Sequence, residues 1–149
     1  MSVVTQAVVR PGGQHLRGTA FSSSVAEFRW PVAAVSVRLA RRVVHALCRL
    51  LRLPAVRDDA ALVVSELVGN SIRAACGDTI LLRLDWTPRR LRIEVHDDAP
   101  GQPQVIHAGP EAEGGRGMWI VSQVAVRWGV TRKRPGKIVW AELALPSLA

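Results

Sequence analysis

Glu66 and Asn70 stand four residues apart, a spacing that puts two oxygen-bearing side chains on one face of a helix. An asparagine carbonyl can ligate a hard divalent cation such as Mg²⁺, which prefers oxygen and keeps several waters. A glutamate beside it can accept a proton from an attacking hydroxyl or water. On a helical wheel Val63, Val64, Leu67, Val68 and Ala74 fill one arc, and Glu66 and Asn70 lie on its margin beside Val63. The same spacing also describes a solvated glutamate and a helix-surface asparagine.

Asp97 closes a stripe. In an alternating strand Leu91, Ile93, Val95 and Asp97 share a side, while Arg92, Glu94 and His96 face the other way. A carboxylate there needs a partner, because burying it unpaired is costly. An exocyclic amine such as adenine N6 would serve; so would a turn that the aspartate caps. The third cluster, Gly114-Gly115-Arg116-Gly117, precedes Met118-Trp119-Ile120-Val121, where a loop becomes a helix. Glycines let backbone N–H groups approach an anion, and a helix amino end adds a favourable field. A flexible connector would have the same composition.

The elements that must position these clusters can be read from periodicity. Val32 to Leu53 forms an amphipathic helix with Val32, Val35, Leu39, Val43, Leu47 and Leu50 on its buried face, Pro31 in its first turn and Pro54 as its stop. A second helix runs from about Asp58 to Ala75, with Asp58 and Asp59 suited to its amino end and Gly77 ending it. Ile80, Leu82, Leu84 and Trp86 alternate, as do Leu91, Ile93 and Val95, and the turn at 87–90 makes the two strands a hairpin. From Asp98 to Gly115 there are four glycines, three prolines and no period, so a long functional loop is expected. A helix over Gly117 to about Val126 and a last hairpin, Arg127 to Lys133 and Lys137 to Leu145, complete the chain. With a short strand at Glu27 to Trp30, the order is β-α-α-β-β-loop-α-β-β. That order predicts an α+β fold, a two-layer α/β sandwich with helices on one face of a mainly antiparallel sheet. Residues 1–24 read as a flexible leader before one domain over 25–149.

Composition bounds the rest. The 149 residues are 48% apolar and 21% charged, proportions of one globular domain. No run approaches the ~20 apolar residues of a membrane span, and Met1 to Arg10 lacks the order of a secretory signal, so a cytoplasmic location is expected. Cys48 and Cys76 form no metal-ligand spacing and are expected as reduced thiols. The net charge of +8 is almost all arginine. Arg38, Arg41, Arg42, His45, Arg49 and Arg52 spread over several faces of the first helix, as on a solvated surface, and no nucleic-acid motif accompanies them.

Taken together, the three clusters resemble the ATPase superfamily of gyrase, Hsp-type chaperones, histidine kinases and mismatch-repair proteins. Glu66 and Asn70 match its N box, Asp97 its first glycine box, and Gly115-Arg116-Gly117 its second. Four stretches resemble the small anti-sigma-factor serine/threonine kinases: the run Val64 to Ala75, the run Gly114 to Val121, Arg127-Trp128-Gly129-Val130, and the run Gly136 to Leu143. The resemblance implies that Asn70, Asp97, Ala99, Gly101, Gly115, Arg116, Gly117 and Met118 contact ATP, that Asn70 also holds Mg²⁺, and that 98–114 forms a lid. It implies Glu66 as the base for phosphoryl transfer to an antagonist protein, with a sigma factor as the other partner. A homodimer, and no direct contact with nucleic acid or membrane, are further expectations. The chain departs from the family pattern at Ala99 (usually Gly or Ser), at Ile138 (usually Thr, whose hydroxyl would lie near the nucleotide) and at Ala74 (usually His). Retained Glu66 favours a kinase; Ile138 leans towards an ATP-binding regulator that sequesters its partner without phosphorylating it.

Overall fold

A computed structural model describes residues 6–12, 23–74, 77–97, 116–133 and 136–146. Its elements run β1 (Gln6–Gly12), β2 (Ser23–Pro31), α1 (Val35–Leu50), α2 (Arg57–Arg73), β3 (Thr79–Thr87), β4 (Arg90–Asp97), α3 (Arg116–Val124), β5 (Arg127–Arg132) and β6 (Lys137–Ala144). The strands make one six-stranded sheet in the order β1-β2-β3-β4-β6-β5, and every neighbouring pair is antiparallel. Helices and sheet enclose a single core, the α+β sandwich that the element order predicts. The expected loop over 98–115 lies outside the described residues.

Residues directly opposed across an antiparallel ladder share a face of the sheet. Leu82, Val95 and Val139 therefore line up with Leu84, Ile93 and Ala141 on the helix side. All but Val139 are fully buried or nearly so, with Val63, Val64, Leu67 and Val68 of α2 packed into the same core.

Three expectations are corrected. The leader is not loose throughout, because Gln6–Gly12 adds an edge strand to β2; a single strand containing Pro11 shows little periodicity, and its pairing is non-local. Pro31 ends β2 instead of opening α1; the helix begins at Val35, and buried Ser36 donates a 2.7 Å hydrogen bond from Oγ to the Pro31 carbonyl. The buried face of α1 is Ser36, Ala40, Val44, Leu47 and Cys48, leaving Val35 37% and Leu50 80% exposed. Small Ser36 and Ala40 are fully buried on that face, and a search for large apolar residues overlooks them. Cys48 is a buried free thiol, and Cys76 lies outside the described residues. Among the described residues no helix is long and apolar enough to cross a membrane.

The other face of the sheet carries charge. Glu27, Arg83 and Glu94 lie on one cross-strand row, and Asp85, Arg92, Glu142 and Arg127 on the next. Ion pairs stitch the rows: Arg83–Glu27 at 2.8 Å, Arg92–Glu94 at 2.7 Å, Arg92–Glu142 at 2.9 Å and Arg90–Glu142 at 3.0 Å. The Arg92 guanidinium carbon stands 4.0 Å from the centroid of the Trp140 ring, a cation–π contact. The opposed residue is Gly129, where a Cβ would come within 2.8 Å of that ring, so only glycine leaves the indole room to lie across the strand.

Burial alone would raise the Glu94 pKa, but hydrogen bonds from His96 and Arg92 and their charges overcome it and hold the carboxyl at about 2. Glu142 is treated alike: burial opposes ionisation, yet hydrogen bonds from Arg92 and Arg90 keep its pKa below the ordinary value. A carboxylate whose pKa is depressed in the folded state binds fewer protons there than in the unfolded chain, so its stabilisation is present above the unfolded pKa and lost as pH falls through the folded one. For Glu94 that window runs from 4.5 down to about 2. Urea denaturation of wild type is expected to lose stability across it, and Glu94→Gln to flatten the loss by on the order of 2 kcal/mol. Identical acid profiles for the two proteins would show that this carboxylate is not held as described.

Candidate functional site

The α2 helix carries the first two candidate residues because its apolar positions bury Val63, Val64, Leu67 and Val68 and leave Glu66 and Asn70 half-buried at the border. The amino end of α3 closes on that border. Gly117 is buried against it: a Cβ added there would lie under 3.0 Å from Glu66 Oε2 and 3.4 Å from Asn70 Oδ1. A glycine here lets the α3 backbone approach both side chains, which are distant in sequence from it, without displacing the Glu66 carboxylate.

Asp97 reaches the same helix from the sheet. It is buried at the end of β4, and Ser71 Oγ, the residue after Asn70, donates to its Oδ2 at 3.4 Å. The Lys137 ammonium lies 3.8 Å from the same oxygen, and Lys137 is the residue opposite Asp97 in the ladder. A hydroxyl and a cation therefore help to compensate the buried carboxylate. Asn70, Ser71 and Asp97 form a continuous polar seam between helix and sheet.

Arg73 lies one turn on from Asn70 and is not singled out as a site residue by the sequence. Its Nη2 donates to Asn70 Oδ1, and its Nη1 lies 3.4 Å from the space over Gly69. The amide oxygen that could ligate a cation thus accepts from a guanidinium in this conformation. Among the described residues no group of three or more His, Cys, Asp or Glu side chains could hold a metal. A single amide oxygen beside a carboxylate fits a Mg²⁺ that takes most of its ligands from water and phosphates.

The remaining candidates divide. Met118 is half-buried and packs on the core, while Arg116 is the first residue of α3. Ala99, Gly101 and Gly115 lie outside the described residues, as does the whole expected lid over 98–114. Ile138 requires a correction. It stands opposite His96, on the sheet face turned away from the helices, whereas Lys137 faces Asp97. A threonine at 138 would present its hydroxyl to the wrong face, so Ile138 takes nothing from this seam. Sequence reasoning missed Ser71 and Lys137; only the strand register, which pairs 97 with 137, exposes the second.

The model of the histidine kinase-like ATPase domain matches residues 30–143 of the chain, from the last two residues of β2 through α1, α2, β3, β4, α3 and β5 to all but the last residue of β6. No curated protein matches the chain.

The contact between Gly117 and Glu66 can be measured. Because the crowded atom is the far end of a flexible side chain, Gly117→Ala is expected to cost less than about 1 kcal/mol while pushing the Glu66 carboxylate aside. In a Glu66→Ala background that cost should disappear, giving a coupling equal to it, up to about 1 kcal/mol, in a double-mutant cycle read by urea denaturation. Strict additivity would mean that the two residues do not meet.

Proposed function

Since the chain belongs to the histidine kinase-like ATPase domain family, we propose that it holds ATP with Mg²⁺ at the junction of α2, α3 and β4 and acts as a protein serine/threonine kinase and anti-sigma factor. The observation that carries the reading is the convergence of Glu66, Asn70 and Gly117, with Asp97 one hydroxyl away through Ser71. Asp97 accepts a hydrogen bond from the adenine amine. Asn70 supplies an oxygen to the metal, and the turn through Gly115, Arg116 and Gly117 receives the phosphates at the amino end of α3. Mg²⁺, when bound, neutralises charge on the phosphates.

Glu66 takes the proton from the hydroxyl of a serine or threonine on an antagonist protein. A bond forms between that oxygen and the γ-phosphorus while the bond to the β-phosphate oxygen breaks, and ADP leaves. Positioning and charge neutralisation supply most of the acceleration in such transfers. The sigma factor and the antagonist enter from the resemblance of the Val64 to Ala75 and Gly136 to Leu143 stretches, as does a homodimer.

Binding and chemistry separate by mutation. Asn70→Ala and Asp97→Asn are each expected to weaken Mg²⁺-dependent ATP affinity at least ~10-fold in calorimetry, as loss of a buried charge-assisted hydrogen bond or a metal ligand would. Glu66→Ala should keep ATP affinity within ~3-fold and abolish transfer of label from ATP to a serine of an antagonist protein. Unchanged affinity in both binding variants would defeat the site. Normal affinity with no label on any antagonist offered to the wild type would leave an ATP-binding protein that sequesters its partner without phosphorylating it.

A further inference from the structure

A cavity of about 300 Å³ opens between the end of α1 and the start of α2, and its lining is His45, Cys48, Arg49, Arg52, Pro54 and Arg57. It shares no residue with the seam at Asn70 and Asp97. His45, Cys48, Arg49 and Arg52 recur at spacings of three and four, so α1 and its terminal turn bring one imidazole and two guanidinium groups to the same side. Arg57, the first residue of α2, adds a third guanidinium. Asp58 competes, its Oδ1 lying 3.4 Å from Arg57 Nε, but this pair is solvent-exposed and weak.

The backbone gives an independent sign. After α1 the Leu53 N–H bonds to the Cys48 carbonyl at 2.8 Å and the Arg52 N–H to the Arg49 carbonyl at 3.2 Å, the paired bonds of a Schellman helix end. The residue that must turn left-handed in that motif is ordinarily glycine. Here it is Arg52, with φ of 55°, and no other non-glycine residue has positive φ among the described residues. An arginine thus adopts a conformation that disfavours it at a position that lines the cavity.

We propose that this cavity is an anion site for a phosphate group, carried either as free phosphate or as a small phosphate ester. Arginine forks match phosphate oxygens in geometry as well as charge, which favours this ligand over a halide. The volume exceeds one phosphate and leaves space for a short carbon skeleton, at the lower end of small-molecule pockets.

Titration of the full-length chain with inorganic phosphate at constant ionic strength, followed by calorimetry, tests the site. Saturable binding in the millimolar range or tighter is expected, with chloride failing to displace it. Arg52→Gly is the decisive variant, because glycine suits the left-handed turn: Tm should stay at or above wild type while phosphate affinity falls at least fivefold. Arg49→Gln should weaken binding similarly, and Asn70→Ala should leave it unchanged. A parallel titration with glycerol 3-phosphate assigns the source, tighter binding than phosphate marking an ester site and equal binding a free-phosphate site. The proposal is overturned if phosphate binds no better than chloride, if affinity survives both arginine substitutions, or if Asn70→Ala removes it, which would place the phosphate at the α2–α3 junction.

Discussion

A carboxylate at the end of an apolar strand stripe cannot be left to itself. Asp97 follows Leu91, Ile93 and Val95 into the interface between sheet and helices, where an uncompensated charge would cost several kcal/mol. Its compensation comes from Ser71 on α2 and Lys137 on β6, so a single buried acid ties the helix layer to two strands of the sheet. Once Ser71 is held to Asp97, the rotation of α2 about its axis is set, and Asn70 and Glu66 must emerge at the border where α3 arrives. The polar seam and the apolar core are two consequences of one placement.

The two faces of the sheet divide the work. The helix side is mostly apolar, with Asp97, Lys137 and Arg132 placed together towards one end of it. The far side is a lattice of alternating charge in which Glu94 and Glu142 each contact more than one cation. Exposed pairs of this kind contribute little one at a time, but these side chains are largely covered, Glu142 to 94% and Glu94 to 87%. With the indole of Trp140 clasped between Arg92 and Gly129, β4, β6 and β5 form a stiff floor for the site above them.

Most of this architecture could be read from periodicity because each signal was local and repeated. Alternation in β3 and β4 and the apolar arc of α2 located the core, and the approach of Glu66 to Asn70 is a matter of helical pitch alone. What escaped depended on relations between segments. β1 is a strand only because β2 lies beside it, and the buried face of α1 turns on small Ser36 and Ala40, whose size matters through what they let approach. The identity of the residue facing Asp97 rests on the register of β4 with β6: a shift of one would exchange Lys137 for Ile138 and reverse which face each presents. Arg73 was visible as a motif letter, but its bond to Asn70 is a matter of side-chain geometry.

Helix ends explain why the candidate site lies where it does. Asn70 stands in the last turn of α2, where unpaired carbonyls concentrate negative partial charge, and Gly117 stands in the first turn of α3, where unpaired N–H groups concentrate positive charge. The two ends meet at the contact between Gly117 and the Glu66–Asn70 pair. A metal bound to a phosphate chain has the complementary arrangement: cation towards the end of α2, anion towards the start of α3. Arg73 fits the same field, since a guanidinium at the carboxyl end of α2 is stabilised there and finds the Asn70 oxygen within reach. On the proposed reading the guanidinium and the metal compete for one amide oxygen. Arg73 would then yield the Asn70 oxygen to the metal or share its second lone pair, and would lie close enough to the site to offer charge to phosphates.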